Sequence, residues 1–412
     1  MMQWQKNLYA LWTAQFLAMV GLTLIAPFIP LFIGTLGVRR IEDVERWSGL
    51  LFAAPFLAQA LMAPAWGVVG DRYGRKSMVM RALVGIGSTN FLSAFVQRVE
   101  QLLALRAIQG GVSGFVAATN ALVSASIPRD RVGAAMGFLQ TSLTAGGVVG
   151  PLIGGALADL VGYRRVFVIN GLMCWLAAGV VLRYVREPGG ERVPRAGPGV
   201  RAHVTSFLGS PTLRTVGLLL VASQAAVWAI EPIFPVFVGT LGVPPDRVAT
   251  VAGALFSVTG IASIAGAPLW GRSSDRIGEG RVLALVLWGA CAAYAAQAWV
   301  RSPVSLFALR AVLGFFIGGL MPPLYALVAR LTPPARLGGM MGVTSSAITA
   351  GNLAGPLLGG MLSAAIGIRP VFVVAAAMLA ISALGTRGLV PERAGGGDPG
   401  AARGPRPRQE AE

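Results

Sequence analysis

The sequence predicts an all-α membrane protein of 12 transmembrane helices, arranged as two pseudo-symmetric six-helix bundles. Three observations carry that prediction. The chain is too apolar for water, its apolar runs come in two sets of six, and the second set repeats the first. Of 412 residues, 55% are hydrophobic and 12% are charged, where a soluble domain has roughly 25% charged. The 34 Lys+Arg and 17 Asp+Glu leave a formal net charge of +17. A nucleic-acid-binding domain carries such an excess on a polar, folded surface. This chain has too little polar surface for that, so no nucleic-acid partner is expected. A soluble enzyme and a disordered chain are excluded on the same ground, and the lipid bilayer remains as the solvent.

The apolar runs occupy about 8–34, 48–70, 78–97, 101–126, 133–160 and 165–184, then 215–238, 248–270, 281–300, 304–330, 338–366 and 370–388. Each is long enough to cross a bilayer as a helix, which takes roughly 20 residues. None alternates polar with apolar residues as a membrane strand does. The first run follows Lys6, is too long for a signal-peptide core and has no small-residue cleavage site after it, so it reads as a retained span. Residues 1–184 then form an N-terminal bundle and 215–390 a C-terminal one. Between them, 185–214 reads as a polar linker on account of Pro188, Gly189, Gly190, Pro194 and Pro198. Residues 391–412 are rich in Gly, Pro and Arg and are expected to be disordered.

An even number of spans places both termini on one side. Of the 34 basic residues, 23 fall on that side and 9 on the other. The positive-inside rule therefore makes the terminus side cytoplasmic.

The chain is also written twice, at an offset of 204–205 residues. APFIPLFIGTLGV (26–38) matches EPIFPVFVGTLGV (231–243), and APAWGVVGDRYG (63–74) matches APLWGRSSDRIG (267–278). LALRAIQG (103–110) matches LFALRAVLG (306–314), setting Arg106 against Arg310. GFLQTSLTAGGVVGPLIGG (137–155) matches GVTSSAITAGNLAGPLLGG (342–360), and GYRRVF (162–167) matches GIRPVF (367–372). Two six-span copies share one orientation and are related by an axis along the membrane normal, with a binding site between them near the midplane.

Cys174 and Cys291 lie inside apolar runs in different halves, and His203, the only histidine, lies in the linker. Such a set cannot build a zinc site or a Cys–His nucleophile. Neither a metal nor a membrane enzyme is expected.

Four groups of residues carry candidate function. The loop after the second run reads Gly67, Asp71, Arg72, Gly74, Arg75 and Lys76, with a partial copy at Gly271, Asp275, Arg276, Gly278 and Arg281. Asp71 precedes a helix, where the dipole favours a carboxylate by roughly 0.3–1 kcal/mol. Arg129 and Arg131 are its candidate partners. In the fifth run Gly137, Gly146, Gly150, Pro151, Gly154 and Gly155 place glycines four apart, a flat stripe for close helix packing, with a helix-bending proline among them. The eleventh run repeats the pattern. Arg106 opens Arg-x-x-Gln-Gly in the fourth run. A charge in the bilayer costs about 2.5–3.5 kcal/mol, so it either faces the protein interior or snorkels to the surface. Among the acids, Glu42, Asp43, Glu45, Glu100 and Asp246 read as far-loop residues and Asp159 as a span end, leaving Glu231 alone well inside a span. An acid there is a functional candidate by default. A carboxyl group in a low-dielectric site favours its neutral form and can carry a proton. Pocket candidates along the seam are Gln15, Gln59, Asn120, Gln140, Gln224, Trp228, Tyr325 and Asn352.

These motifs resemble the major facilitator superfamily over roughly residues 8–388, and within it the bacterial twelve-span drug:proton antiporters. The resemblance implies a multi-pass protein of the bacterial inner membrane. It implies proton-driven multidrug efflux by alternating access, with no cofactor besides the proton gradient and a monomeric state. It also implies a cytoplasmic latch at the Asp71 loop, an exporter signature in the glycine run, and a part in proton coupling for Arg106 beside Glu231. The absence of an acid in the first span leaves single-site coupling or another ion open. Transport of a specific metabolite (a sugar, amino acid or siderophore), uptake instead of export, and a non-transporting sensor on the same fold are the alternatives.

Overall fold

The computed structural model describes residues 2–128, 131–187, 200–333 and 336–389. Residues 391–412, expected to be disordered, and residues 188–199 of the linker lie outside the described residues. Within them, 16 of the 17 α-helices build twelve spans. Spans 1–6 are α1 (Gln3–Leu24) with α2 (Ile29–Thr35), α3 (Ile41–Tyr73), α4 (Arg75–Ser93), α5 (Val99–Val112) with α6 (Phe115–Ser126), α7 (Val132–Val161) and α8 (Tyr163–Tyr184). After α9 (Val200–Gly209), spans 7–12 are α10 (Pro211–Ile230) with α11 (Phe234–Gly239), α12 (Val248–Ile277), α13 (Glu279–Gln297), α14 (Pro303–Ile317) with α15 (Met321–Arg330), α16 (Leu337–Ile366) and α17 (Ile368–Gly385). Ten of the twelve are long and apolar enough to cross a membrane. The other two are α4, which carries Arg75, Lys76 and Arg81, and α16, with its many glycines and hydroxyls. Both pack inside the same bundles, α4 on α8 and α16 on α10.

Spans 1, 4, 7 and 10 are each broken once, at equivalent places in the two halves. Pro27 and Pro30, then Pro232 and Pro235, interrupt spans 1 and 7, because a proline removes an N–H and clashes with the preceding turn. Span 4 breaks at Gly114, whose φ of +104° ends α5 in a left-handed turn, and span 10 breaks at Gly318–Gly319 before Pro322. A broken helix leaves carbonyls free, and in lipid these must find donors. Trp66 Nε1 donates to the Gly111 carbonyl at 2.6 Å, and its repeat partner Trp270 donates to the Phe315 carbonyl at 2.9 Å. The repeat explains a second pair in the same way. Arg164 and Arg369 each cap the end of a neighbouring span, at the Ala94 and Ala298 carbonyls, both at 2.7 Å. Thus the matched GYRRVF and GIRPVF segments are structural fasteners.

The glycine stripe packs within its own half. A side chain at Gly146 would meet Met19, at Gly150 Thr23 and the Val20 carbonyl, and at Gly154 the Leu24 carbonyl, all on α1. In the second half Gly351, Gly355 and Gly359 lie on the Val221, Ala225 and Ala229 carbonyls of α10. The stripe therefore does not lie between the two halves. The seam is made one residue further round the helix, where Gly155 meets Ala249 and the Pro151 carbonyl meets Gly253 of α12. Its counterpart joins α16 to α3, with Gly360 against Glu45 and Gly49, and Gly49 against Pro356. These contacts lie toward the side opposite the chain termini, here called the far side. The core there crosses the seam: Ala249 is buried among Leu24, Phe28, Phe32 and Phe167.

The outward surface is apolar, with Leu160 80% and Ile381 69% exposed, as a lipid-facing surface requires. The linker is more structured than its Gly and Pro content suggested. Its helix α9 packs on α10 and α16, burying Phe207 and laying the His203 ring over Gly339.

A Gly150→Leu substitution drives a side chain into Thr23 and the α1 backbone. It is expected to destabilise the N-terminal half by about 1–3 kcal/mol or more, read as a lower Tm in detergent, and to impair transport. An unchanged Tm would show that α1 and α7 have slack at this point.

Candidate transport site

One face of α10 carries Gln224 and Trp228, and the next turn along that face ends on Glu231, at the break of span 7. Residues spaced by four and three share a helix face. Gln224 donates to Asn352 of α16 at 3.0 Å. Trp228 meets Phe56 of α3 edge-on, with ring centroids 5.0 Å apart. That contact joins the halves about midway through the bundle. On the adjoining seam Val148 lies against Gly260, and Ser257 donates to the Val148 carbonyl at 2.6 Å. Toward the terminus side the same faces of α3 and α7 carry Gln59 and Gln140, both exposed. The halves therefore close on the far side and part toward the termini, with Trp228, Phe56, Gln224 and Asn352 at the apex of the opening.

Glu231 is partly buried at that apex. Arg310 of α14 and Tyr294 of α13 lie within electrostatic reach of it. Arg310 is 2% exposed, stands 3.5 Å over the Phe234 ring, and leaves Nε and Nη2 without hydrogen bonds. A desolvated guanidinium over an aromatic face gains about 2 kcal/mol, which offsets part of the cost of burying it. Acid, arginine and tyrosine come from three spans of the C-terminal half and meet where span 7 breaks. Arg310 was read from the sequence only as the repeat partner of Arg106, and Tyr294 was not among the candidates. The signal that finds them is the repeat, since Arg310 stands against Arg106 and Tyr294 against Asn90.

The N-terminal half fills the same positions differently. Arg106 is buried, ruling out a snorkelling position. It donates to the Leu51 carbonyl at 3.3 Å and to Gln109 Oε1 at 2.6 Å, and Gln109 donates on to Asn90 at 3.1 Å. Ala26 stands where the other half has Glu231. Hence Arg106 and Glu231 belong to separate clusters, one in each half.

The other pocket candidates scatter. Gln15 is 1% exposed with neither amide atom bonded, Asn120 is partly buried on α6, and Tyr325 is exposed on α15.

The loop after span 2 is built within the N-terminal half. Gly74, with φ +90°, turns α3 directly into α4, as Gly278 at +91° does for α12 and α13. A left-handed residue at such a turn favours glycine. The expected pairing of Asp71 with Arg129 lies outside the described residues. The carboxylate that caps α4 is Glu187, expected only as a middle-loop residue: it accepts from the Arg75 and Lys76 backbone N–H groups at 2.7 and 3.3 Å. Lys76 Nζ ties the same corner to the Leu182 and Val185 carbonyls, and Arg75 reaches the Ala121 carbonyl. In the second copy Asp275 and Arg276 are exposed, and Glu279 pairs instead with Arg330.

One acid sits elsewhere than expected. Glu45 was placed in a far loop, but α3 starts at Ile41 with Glu42 and Asp43 in its first turn, where the helix dipole favours them. That carries Glu45 into the helix and onto the seam, 3% exposed. Asp159 on α7 also lies on the seam, against Thr250 of α12.

Comparison with known proteins agrees with this architecture. The Major Facilitator Superfamily model matches residues 11–258 and 247–411. The chain belongs to the major facilitator superfamily. It is 36% identical over 385 residues to the multidrug resistance protein MdtG of Rahnella sp. (strain Y9602), covering 92% of each chain. It is 33% identical to the protein of that name from Escherichia coli (strain SMS-3-5 / SECEC), covering 92% of this chain and 93% of the other. Among solved structures, the bacterial homologue of the human lysosomal transporter Spinster, inward-facing and occupied, superposes with a TM-score of 0.78 at 20% identity, over 92% of this chain and 95% of that one. The nucleoside transporter NupG gives 0.74 at 12% identity, over 92% and 100%. This member is accordingly a multi-pass membrane protein with the major facilitator fold.

Replacing Gln109 by Leu leaves a bond of Arg106 and one of Asn90 unmade in a dry interior. The expected cost is about 1–3 kcal/mol for each orphaned group, measured as a fall in Tm. Gln109→Glu, which can still accept from Arg106, is expected to fall less.

Proposed function

We propose that this protein is a proton-coupled exporter of small hydrophobic or cationic compounds, a multidrug efflux transporter working by alternating access. Membership of the superfamily supports transport, and the multidrug resistance named for its relatives supports the substrate class. The observation that carries the coupling is Glu231, an acid in the break of span 7, at the apex of the opening between the halves and on one face with Trp228 and Gln224.

That position allows one carboxylate to serve two ligands in turn. As an anion it attracts a cationic drug lying against Trp228 and Phe56. With a proton bound it is neutral and releases the drug. Arg310, held over Phe234 with unfilled hydrogen-bonding capacity, supplies the countercharge that keeps the anionic state tolerable in a low dielectric. Apolar and aromatic walls with few fixed polar groups suit amphipathic compounds. A carrier of a polar metabolite calls for more convergent hydrogen-bonding groups than the Gln224–Asn352 pair offers.

On this reading the terminus side is cytoplasmic, the membrane is the bacterial inner membrane, and the molecule works as a monomer driven by the proton gradient without a cofactor. The opening toward the termini then corresponds to the state that takes up substrate from the cytoplasm.

Glu231→Gln keeps the size and loses the proton. It is expected to abolish gradient-driven dye efflux from reconstituted vesicles, to background level, while the protein retains its Tm. Glu231→Asp is expected to keep measurable coupling. Full gradient-driven efflux by Glu231→Gln excludes Glu231 as the proton carrier. A panel of drugs and dyes in cells, with and without an uncoupler, tests the substrate class and the driving ion together.

A further inference from the structure

The far side is closed by a bond pair that reaches from one half into the other. Asp159 lies in the last turn of α7, in the N-terminal half. Its Oδ2 accepts from the Thr250 backbone N–H at 2.7 Å and from Thr250 Oγ1 at 2.6 Å, both on α12 of the C-terminal half. Thr250 is the third residue of α12, which starts at Val248 and has no side-chain cap of its own. The first N–H groups of a helix have no partner within it, and a carboxylate there also meets the positive end of the dipole. Asp159 thus does for α12 what an N-cap does, but from the opposite half. The bond is part-buried and sits beside Gly155, where the two backbones leave no room for a side chain.

The other seam again sets an acid of the N-terminal half beside a hydroxyl of the C-terminal half. Glu45 on α3, in the N-terminal half, is turned toward the hydroxyl of Ser363 on α16. Ser363 Oγ is buried without a well-formed hydrogen bond. By the repeat Ser363 stands against Ala158, the neighbour of Asp159, and Glu45 stands against Ala249, next to Thr250. Each seam therefore meets at one acid and one hydroxyl. Only the seam with Asp159 closes both bonds.

We propose that Asp159 is the far-side latch of the transport cycle: its carboxylate holds α12 against α7 while the site opens toward the termini, and releases Thr250 each time the far side opens. Asp159 is a positioning residue and touches no substrate. The inference rests on alternating access between the halves and does not depend on what is carried or on the coupling ion. Its test reads the separation of the halves directly, so failure of the latch and failure of the drug–proton reading give different results.

In a variant with Cys174 and Cys291 replaced by alanine, spin labels are placed at Gln97 and Arg301, exposed far-side residues, one in each half. Pulsed electron–electron distance measurements on the reconstituted protein then report the far-side gap. The parent is expected to show mainly a short separation. Asp159→Ala is expected to raise the ratio of long to short separations by about tenfold or more, the equivalent of about 1.4 kcal/mol. Asp159→Asn keeps an acceptor oxygen and loses the charge, and is expected to shift the ratio in the same direction by a smaller factor. Thr250→Val preserves volume and removes one bond, and is likewise expected to shift it by a smaller factor. Glu45→Ala is expected to shift it least. An unchanged distance distribution in Asp159→Ala, or in Thr250→Val should the alanine variant not fold, overturns the proposal.

Discussion

Close backbone contact between helices is the interaction on which the rest of this molecule depends. In lipid, apolar side chains gain little by facing one another, and helices associate through packing and hydrogen bonds. Here α7 and α16 each use two adjacent lines of glycine. One line, Gly146, Gly150 and Gly154 or Gly351, Gly355 and Gly359, clamps span 1 or span 7 within its own half. The other, at Gly155 or Gly360, meets the opposite half. The same two helices thus make each bundle rigid and form the joint between bundles. Moving one half against the other changes only the second line, which is the condition for a rigid-body rocking motion.

On that common frame the two halves differ where the chemistry is. Position for position, Asn90, Arg106 and Gln109 in the first half stand against Tyr294, Arg310 and Leu313 in the second. Gln109 holds Arg106 and is held by Asn90, so the first arginine has side-chain and backbone partners. Leu313 offers nothing to Arg310, which turns to the Phe234 ring and to Glu231. Partial satisfaction of a buried charge is costly, and a structure keeps it where the charge has work to do. The half with the unsatisfied arginine is the one with the intramembrane acid. Equivalent positions of the repeat thus hold one arginine among hydrogen-bond partners and one over an aromatic ring.

The twelve spans, the repeat and the intramembrane acid were legible because hydropathy and sequence identity report them directly. The breaks in spans 1, 4, 7 and 10 were not. Pro27 and Gly114 fall inside continuous apolar runs, and hydropathy does not register a turn. The glycine pattern announced close packing but not its partner, since Gly154 and Gly155 differ only by the face of α7 they occupy. Glu45 and Glu187 were read by their distance from apolar residues. Their roles come from helix ends: one is carried inward by an early helix start, the other caps a helix more than a hundred residues before it in the chain. Such long-range pairings leave no local trace. Arg310 was legible only by carrying the repeat through to the positions that differ.

The energetics of the far side bear on how such a cycle can turn over. A transporter open toward one side must hold the other side shut, yet a closure that is too strong stops the cycle. Moving a two-state equilibrium from 1:99 to 99:1 takes about 5.5 kcal/mol. Two hydrogen bonds to a carboxylate contribute about 1.5–3 kcal/mol each, so the Asp159–Thr250 contact supplies an amount of the right size. A fully made bond between Glu45 and Ser363 would add about 1.5–3 kcal/mol to the closure. The weaker, half-made contact at that seam is therefore what a reversible gate requires. The duplicated seams share their glycines because packing must be equal on both sides of the axis. They differ in their acids because only one of them has to lock.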